Sequence, residues 1–155
     1  MNVFVLAIGI GIVAGLRAFT APALVSWAAH LGWLHLEGTP LAFMGSIIAV
    51  VIFTLGALVE FVTDQLPKTP ARTVPPQLIA RLVTGGLSGA CVGLSGGASL
   101  LVGAVLGAIG VLIGTFGGYH VRKWLVSTLN VKDILVAIPE DLVAVGLAYW
   151  IVSPR

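Results

Sequence analysis

Long apolar runs separated by short polar breaks dominate the chain. A helix that crosses a bilayer needs roughly 20 apolar residues in succession. Five runs approach that length, at about residues 3–20, 41–63, 78–94, 99–119 and 134–152, and they predict five spanning helices in an all-α bundle forming one domain. The first run is interrupted by Arg17 and then by Pro22. Residues 22–34 are predicted to be a bent continuation lying near the membrane interface, which suits Trp27, His30, Trp33 and the neighbouring His35. The break from Asp64 to Pro76 holds four prolines and must be a loop. Ser95-Gly96-Gly97 reads as a tight turn that makes the third and fourth helices an antiparallel hairpin. The fourth helix is expected to end at Gly117-Gly118, before His120, Arg122 and Lys123. Asn130, Lys132 and Asp133 mark the next polar break. Pro139-Glu140-Asp141 interrupts the fifth run; the same three residues fit a helix start, with proline first and acids in the first turn.

Composition turns this pattern into a membrane reading. Of 155 residues, 58% are hydrophobic and only 9% charged. A soluble domain carries roughly 25% charged residues, so too little polar surface is available to cover a water-soluble fold. The mean hydropathy of +1.09 agrees. The net charge of +2 is too small to imply a nucleic-acid partner. A single cysteine, Cys91, excludes a disulfide framework. The first apolar run has no Lys or Arg before it, so it reads as a retained helix and not as a cleaved signal.

Orientation can be read from short-loop charge. Lys68 and Arg72 lie between the second and third runs, and Arg122, Lys123 and Lys132 between the fourth and fifth. The other two loops carry neither residue type. Five crossings place both basic loops in the cytoplasm, with the N-terminus cytoplasmic and the C-terminus outside; Arg155 is the one discordant charge.

Glycines recur at a spacing of four: Gly85, Gly89, Gly93 and Gly97; Gly103 and Gly107; Gly110, Gly114 and Gly118. Gly11 and Gly15 repeat it once. Residues four apart share a helix face, so each helix carries a smooth groove suited to close packing, within the hairpin or between protomers of a homo-oligomer. A groove of this kind also lets a lipid tail or a substrate reach the backbone.

Six ionisable residues fall within or at the edge of the runs: Arg17, Glu60, Asp64, Arg81, Glu140 and Asp141. Such a residue near the bilayer centre costs at least about 2.5–3.5 kcal/mol, which makes each a candidate functional group. Glu60 and Asp64 share a face of the second helix, and Arg81 begins the third on the same side. Glu140 and Asp141 lie about 9–11 Å along the fifth helix, by the rise per residue. These five can meet in the cytoplasmic half as a proton- or cation-binding cluster balanced by arginine, with Arg17 farther from the cytoplasm or near the midplane. Blander readings stand beside this: Asp64 terminating a helix, Arg81 snorkelling to headgroups, and Arg17 and Glu60 in a structural ion pair. In the proline loop, Lys68, Arg72 and Thr73 could hold a phosphate or could simply be a positive-inside loop. No phosphate cradle, metal-ligand spacing or nucleophile elbow is present, so neither metal nor catalytic residue is predicted and the cofactor stays open.

Two stretches carry a resemblance. Gly15-Leu16-Arg17-Ala18-Phe19-Thr20-Ala21-Pro22 and Glu60 through Pro67, together with Thr69-Pro70-Ala71-Arg72-Thr73 just beyond, resemble motifs of a bacterial membrane family, domain of unknown function 4126. Gly114–Arg122 and Glu140-Asp141 resemble its C-terminal part. The resemblance implies a bacterial inner-membrane protein and brings no activity with it. The leading expectation is a small transporter or channel for an ion or solute, in contact with membrane lipids and working as a homo-oligomer. The alternatives are an enzyme or carrier acting on phospholipid headgroups, and a structural subunit of a membrane complex.

Overall fold

The computed structural model describes residues 3–17, 19–34, 36, 38–63, 75–129 and 133–153, with backbone alone at 61, 63, 75–77, 122, 125, 126, 129, 133–138, 140 and 141. The described residues form six α-helices and one 3-10 turn, with no strand. The helices are α1 (Val3–Leu16), α2 (Thr20–His30), α3 (Ile47–Thr63), α4 (Pro75–Ser95), α5 (Leu100–Leu129) and α6 (Asp133–Val152), and the 3-10 turn is Ala42–Gly45. Among the described residues two segments are long and apolar enough to cross a membrane, Leu78–Ser95 and Leu100–Val121; Val3–Leu16, Ile47–Glu60 and Leu142–Val152 are shorter apolar helices.

Local chemistry explains the helix ends. Ser46 caps α3, its hydroxyl accepting the Ala49 N–H at 3.2 Å, so the helix begins at Ile47 and the preceding residues turn in 3-10 geometry. Ser99 caps α5 in the same way through the Val102 N–H at 3.2 Å. Between α4 and α5, Gly97 takes a φ of +91°, which L side chains rarely adopt. There the Ala98 N–H donates to Gly93 O at 2.8 Å and the Gly97 N–H to Leu94 O at 3.1 Å, closing the Schellman pattern that ends α4. Gly117 and Gly118 do not end α5 as expected. Neither takes positive φ, and an interior glycine costs a helix only about 1 kcal/mol, so α5 continues to Leu129. Nor does Pro139 start a helix: α6 runs through it from Asp133. Pro139 is thus an interior residue of α6, in its second turn, and takes one backbone bond out of the helix.

Glycine sets the packing of α1, α4 and α5. A Cβ at Gly89 would lie 2.5 Å from Gly103 O and 2.7 Å from the Gly107 Cα, and one at Gly93 would lie 3.0 Å from the Gly103 Cα. At Gly107 a Cβ would collide with Gly85 O, and at Gly85 with the Val111 side chain. Gly110 and Gly114 face α1 instead, where a Cβ would strike Ile8 O and Ile12 O. Gly15 of α1 comes equally near α5, its Cβ position 2.6 Å from Val111 O and 2.7 Å from Thr115 N. One helix, α5, therefore presents two glycine faces to two neighbours. The paired residues rise together along α1 and α5 and run oppositely along α4 and α5.

The first two helices form a V. α1 stops at Leu16 and the chain reverses through Arg17–Phe19. α2 then runs antiparallel to α3, with Phe19 against Gly56, the Trp27 indole N–H donating to Thr54 Oγ1 at 2.9 Å, and His30 Nδ1 3.0 Å from Gly45 O. Both arms reach the last turns of α6: Ile151 lies against Gly9, and Tyr149 meets Trp33 edge-on at 5.9 Å between ring centroids. The expected surface-lying segment is thus a packed helix, with Ala21, Pro22, Val25, Ser26 and Ala28 all buried. Pro22 sits in its first turn, where the missing N–H has no intrahelical role.

The V also corrects the expected order of ends. A Cβ at Gly96 would collide with the Val3 side chain, so α1 starts beside the α4–α5 turn and not at the end where α5 carries Lys123. Charge counting along loops could not register a reversal inside an apolar run.

Candidate functional site

The apex of the V is where charge gathers. An interrupted helix leaves bare carbonyls at one end and bare N–H groups at the next start, each with a partial charge from the helix dipole. Here charged side chains meet both. The Arg81 guanidinium donates from Nη1 to Gly15 O at 2.9 Å, and the Thr115 hydroxyl donates to the same oxygen at 3.3 Å. That carbonyl belongs to the last turn of α1, the negative end of its dipole. The Phe19 N–H, just before α2, donates to Glu60 Oε1 at 3.1 Å. A carboxylate therefore sits at the positive end of α2.

Arg17 occupies the break itself. Its Nε donates to Thr20 Oγ1 at 3.0 Å and stands 3.9 Å from Glu60 Oε1, while Nη2 donates to Ala57 O at 3.3 Å. Arg81 Nη2 lies 4.0 Å from Glu60 Oε2. Glu60 is thus held between two guanidinium groups and a helix start. The arginines are 2% and 3% exposed, and the Glu60 side chain 10%. Small residues let these groups approach. A Cβ at Gly56, one turn before Glu60, would lie 2.8 Å from the Phe19 ring, and Gly15 brings its carbonyl in among α4 and α5.

Arg17, Glu60 and Arg81, three of the residues singled out from sequence, are brought together by four helices and the break. Arg17 joins the cluster directly and does not stand apart from it. Asp64, Lys68, Arg72 and Thr73 lie outside the described residues. Glu140 and Asp141 fall on the helical backbone of α6, and their side chains lie outside the described set. The sequence reading missed Thr20 and Thr115, both buried. Thr20 lies three residues beyond Arg17, a spacing that could have flagged it; the contact of Thr115 with Gly15 O spans 100 residues and had no local signal.

Of the three charged groups Glu60 is the one acid, between two guanidinium groups. If Glu60 loses its charge, both arginines and the α2 start lose the negative charge they share, although an acceptor oxygen remains for the Phe19 N–H. Among the described residues no group of three or more His, Cys, Asp or Glu could hold a metal ion.

Comparison with known sequences gives one relationship. The family described as Domain of unknown function (DUF4126) matches residues 4–153. Neither a curated protein nor a solved structure matches the chain.

Proposed function

The chain belongs to the DUF4126 family, whose description carries no activity, and from its geometry we propose a multi-pass membrane protein that moves a small cation or proton through the broken-helix core. The membrane part is supported by an inverted distribution of polarity. Leu101, Leu142 and Ile48 are 71%, 70% and 68% exposed, whereas Arg17 and Arg81 are sealed inside. An apolar shell of this extent on a soluble monomer would far exceed the few hundred Å2 such proteins tolerate; facing lipid it costs nothing. In this reading α1 and α2 form a re-entrant hairpin, and α3, α4, α5 and α6 each cross. The end of α5 bearing Lys123 faces the cytoplasm, by the positive-inside rule. Val3, the Gly97 turn and Ser153 face the other side.

One observation carries the transport part: a discontinuous helix whose two bare ends converge on a buried carboxylate and two arginines. Unwound helix ends near the membrane centre are a recurrent way of building transporter sites, because backbone dipoles and side-chain charges act together there. Glu60 is the exchangeable group. Ionised, it clamps α2 to α3 and both arginines. Taking up a proton or cation cancels that charge and loosens the apex, which lets the V shift against α3 and α4.

The test is flux in proteoliposomes. Wild-type protein, with an internal pH dye and separately with sodium and potassium indicators, should dissipate an imposed gradient of at least one of these ions, and Glu60→Gln should abolish the signal. Wild-type vesicles holding folded protein yet as tight as empty ones to all three ions overturn the proposal.

A further inference from the structure

At the apex of the V, the oxygens of Glu60, Gly15, Ala57 and Thr20 all face hydrogen-bond donors. Glu60 Oε1 accepts the Phe19 N–H at 3.1 Å and stands 3.9 Å from Arg17 Nε, and Oε2 stands 4.0 Å from Arg81 Nη2. Gly15 O accepts from Arg81 and Thr115, while Ala57 O and Thr20 Oγ1 both accept from Arg17. The charged groups facing the carboxylate are thus Arg17 in the break and Arg81 on α4; α2 adds Thr20 and α5 adds Thr115. The carboxylate is also fixed in place. In an unbroken helix the Phe19 N–H would donate to Gly15 O, four residues earlier. Here that bond is split: Glu60 takes the N–H, and Arg81 with Thr115 takes the carbonyl. Oε1 therefore stands in for a backbone acceptor, and turning it toward another ligand would leave the Phe19 N–H without its partner.

This arrangement separates two kinds of cargo. A sodium or potassium ion must exchange its hydration shell for several oxygens. Around Glu60 the oxygens already meet N–H and O–H groups. An ion at the carboxylate would also sit beside two guanidinium charges, in an interior that screens charge poorly. A proton needs one oxygen and no shell. It bonds directly to a carboxylate already in position and still leaves the Phe19 N–H an acceptor.

We infer that the species exchanged at Glu60 is the proton, and that Arg17 and Arg81 act as a filter that excludes sodium and potassium. This rests on the transport reading above and names its cargo. The proton comes from water on one side of the membrane, forms an O–H bond on the Glu60 carboxylate, and returns to water on the other side. No electron moves in either step.

Ion replacement in proteoliposomes tests this. Wild-type vesicles holding an internal pH dye receive a pH step in sodium chloride, in potassium chloride and in N-methylglucamine chloride, with tetraphenylphosphonium carrying the compensating charge. The pH signal should have the same rate in all three salts and be lost in Glu60→Gln, while sodium and potassium indicators stay silent. A pH signal that needs sodium or potassium, or Glu60-dependent flux of either metal, overturns the inference and keeps the transport reading. Absence of flux for all three ions overturns the transport reading itself, and this cargo with it. A second measurement needs neither flux nor a variant. A ligand that binds the folded state raises the melting temperature, so wild type in detergent should melt at one temperature in the three salts at equal ionic strength. A rise specific to sodium or potassium overturns the inference.

Discussion

Replacing Gly107 by alanine adds one methyl group where α4 and α5 touch through backbone. The new Cβ would collide with Gly85 O and lie 3.1 Å from both the Gly85 carbonyl carbon and the Gly89 Cα. None of these atoms can rotate away, so the two helices must separate, and the neighbouring Gly89–Gly103 contact opens with them. Overpacking of this kind costs about 1–3 kcal/mol. Against it stands the higher helix propensity of alanine, about 0.8–1.0 kcal/mol, so a net loss of up to about 2 kcal/mol is expected. Gly117→Ala is the matched control on the same helix, because no atom lies within 4 Å of its Cβ position. There only the propensity gain remains, and the variant should equal or exceed wild type by up to about 1 kcal/mol. The two substitutions are chemically identical, their propensity gains cancel, and they should differ by the overpacking cost alone, about 1–3 kcal/mol. For a chain of this size that difference is a separation of about 2–12 °C in melting temperature. Far-UV circular dichroism melts in one detergent, with denaturant titration as a second measure, would read it. Equal effects of the two substitutions, or a stabilised Gly107→Ala, would refute the close-packing argument.

The apex and the V give two further expected outcomes. Glu60→Gln keeps an oxygen to accept the Phe19 N–H but removes the charge between two buried guanidinium groups. Breaking a buried pair costs about 3–5 kcal/mol, and in a double-mutant cycle with Arg81→Gln the double variant should depart from additivity by about 0.5–3 kcal/mol in denaturant titrations; strict additivity would mean that the two residues do not interact. In a Cys91→Ala background, Ser99→Cys and Ser153→Cys should react with an impermeant maleimide from one side of the membrane and Lys123→Cys from the other. Labelling of Ser99 and Ser153 from opposite sides would sink the re-entrant hairpin.

Much of the architecture is visible in local sequence because its causes are local. The Ser95-Gly96-Gly97 turn needs a residue that tolerates positive φ, and glycine announces that. Apolar runs mark where helices lie, since backbone groups hidden from water must bond within their own segment. Gly117-Gly118 misled for the same reason: glycine permits a helix end without demanding one, and the residues beyond it decide. Pro139, which fits a helix start, lies inside α6. Glu60 and Arg81 could be matched by side and depth, although Arg17, the second guanidinium beside Glu60, could not.

Composition and spacing alone determined that the chain is helical, that glycine lines its packing faces and that Arg17, Glu60 and Arg81 stand in apolar surroundings where charge is costly. Only the tertiary structure decided that the first apolar run turns back at Arg17, that α5 uses separate glycine faces for α1 and α4, and that the free end of one helix and the start of the next share a carboxylate and two guanidiniums. The reason is the reach of the forces involved. A helix signal depends on residues three and four apart, whereas the contacts at Gly15 and Glu60 join residues 21 to 100 positions apart and exist only after the helices have packed.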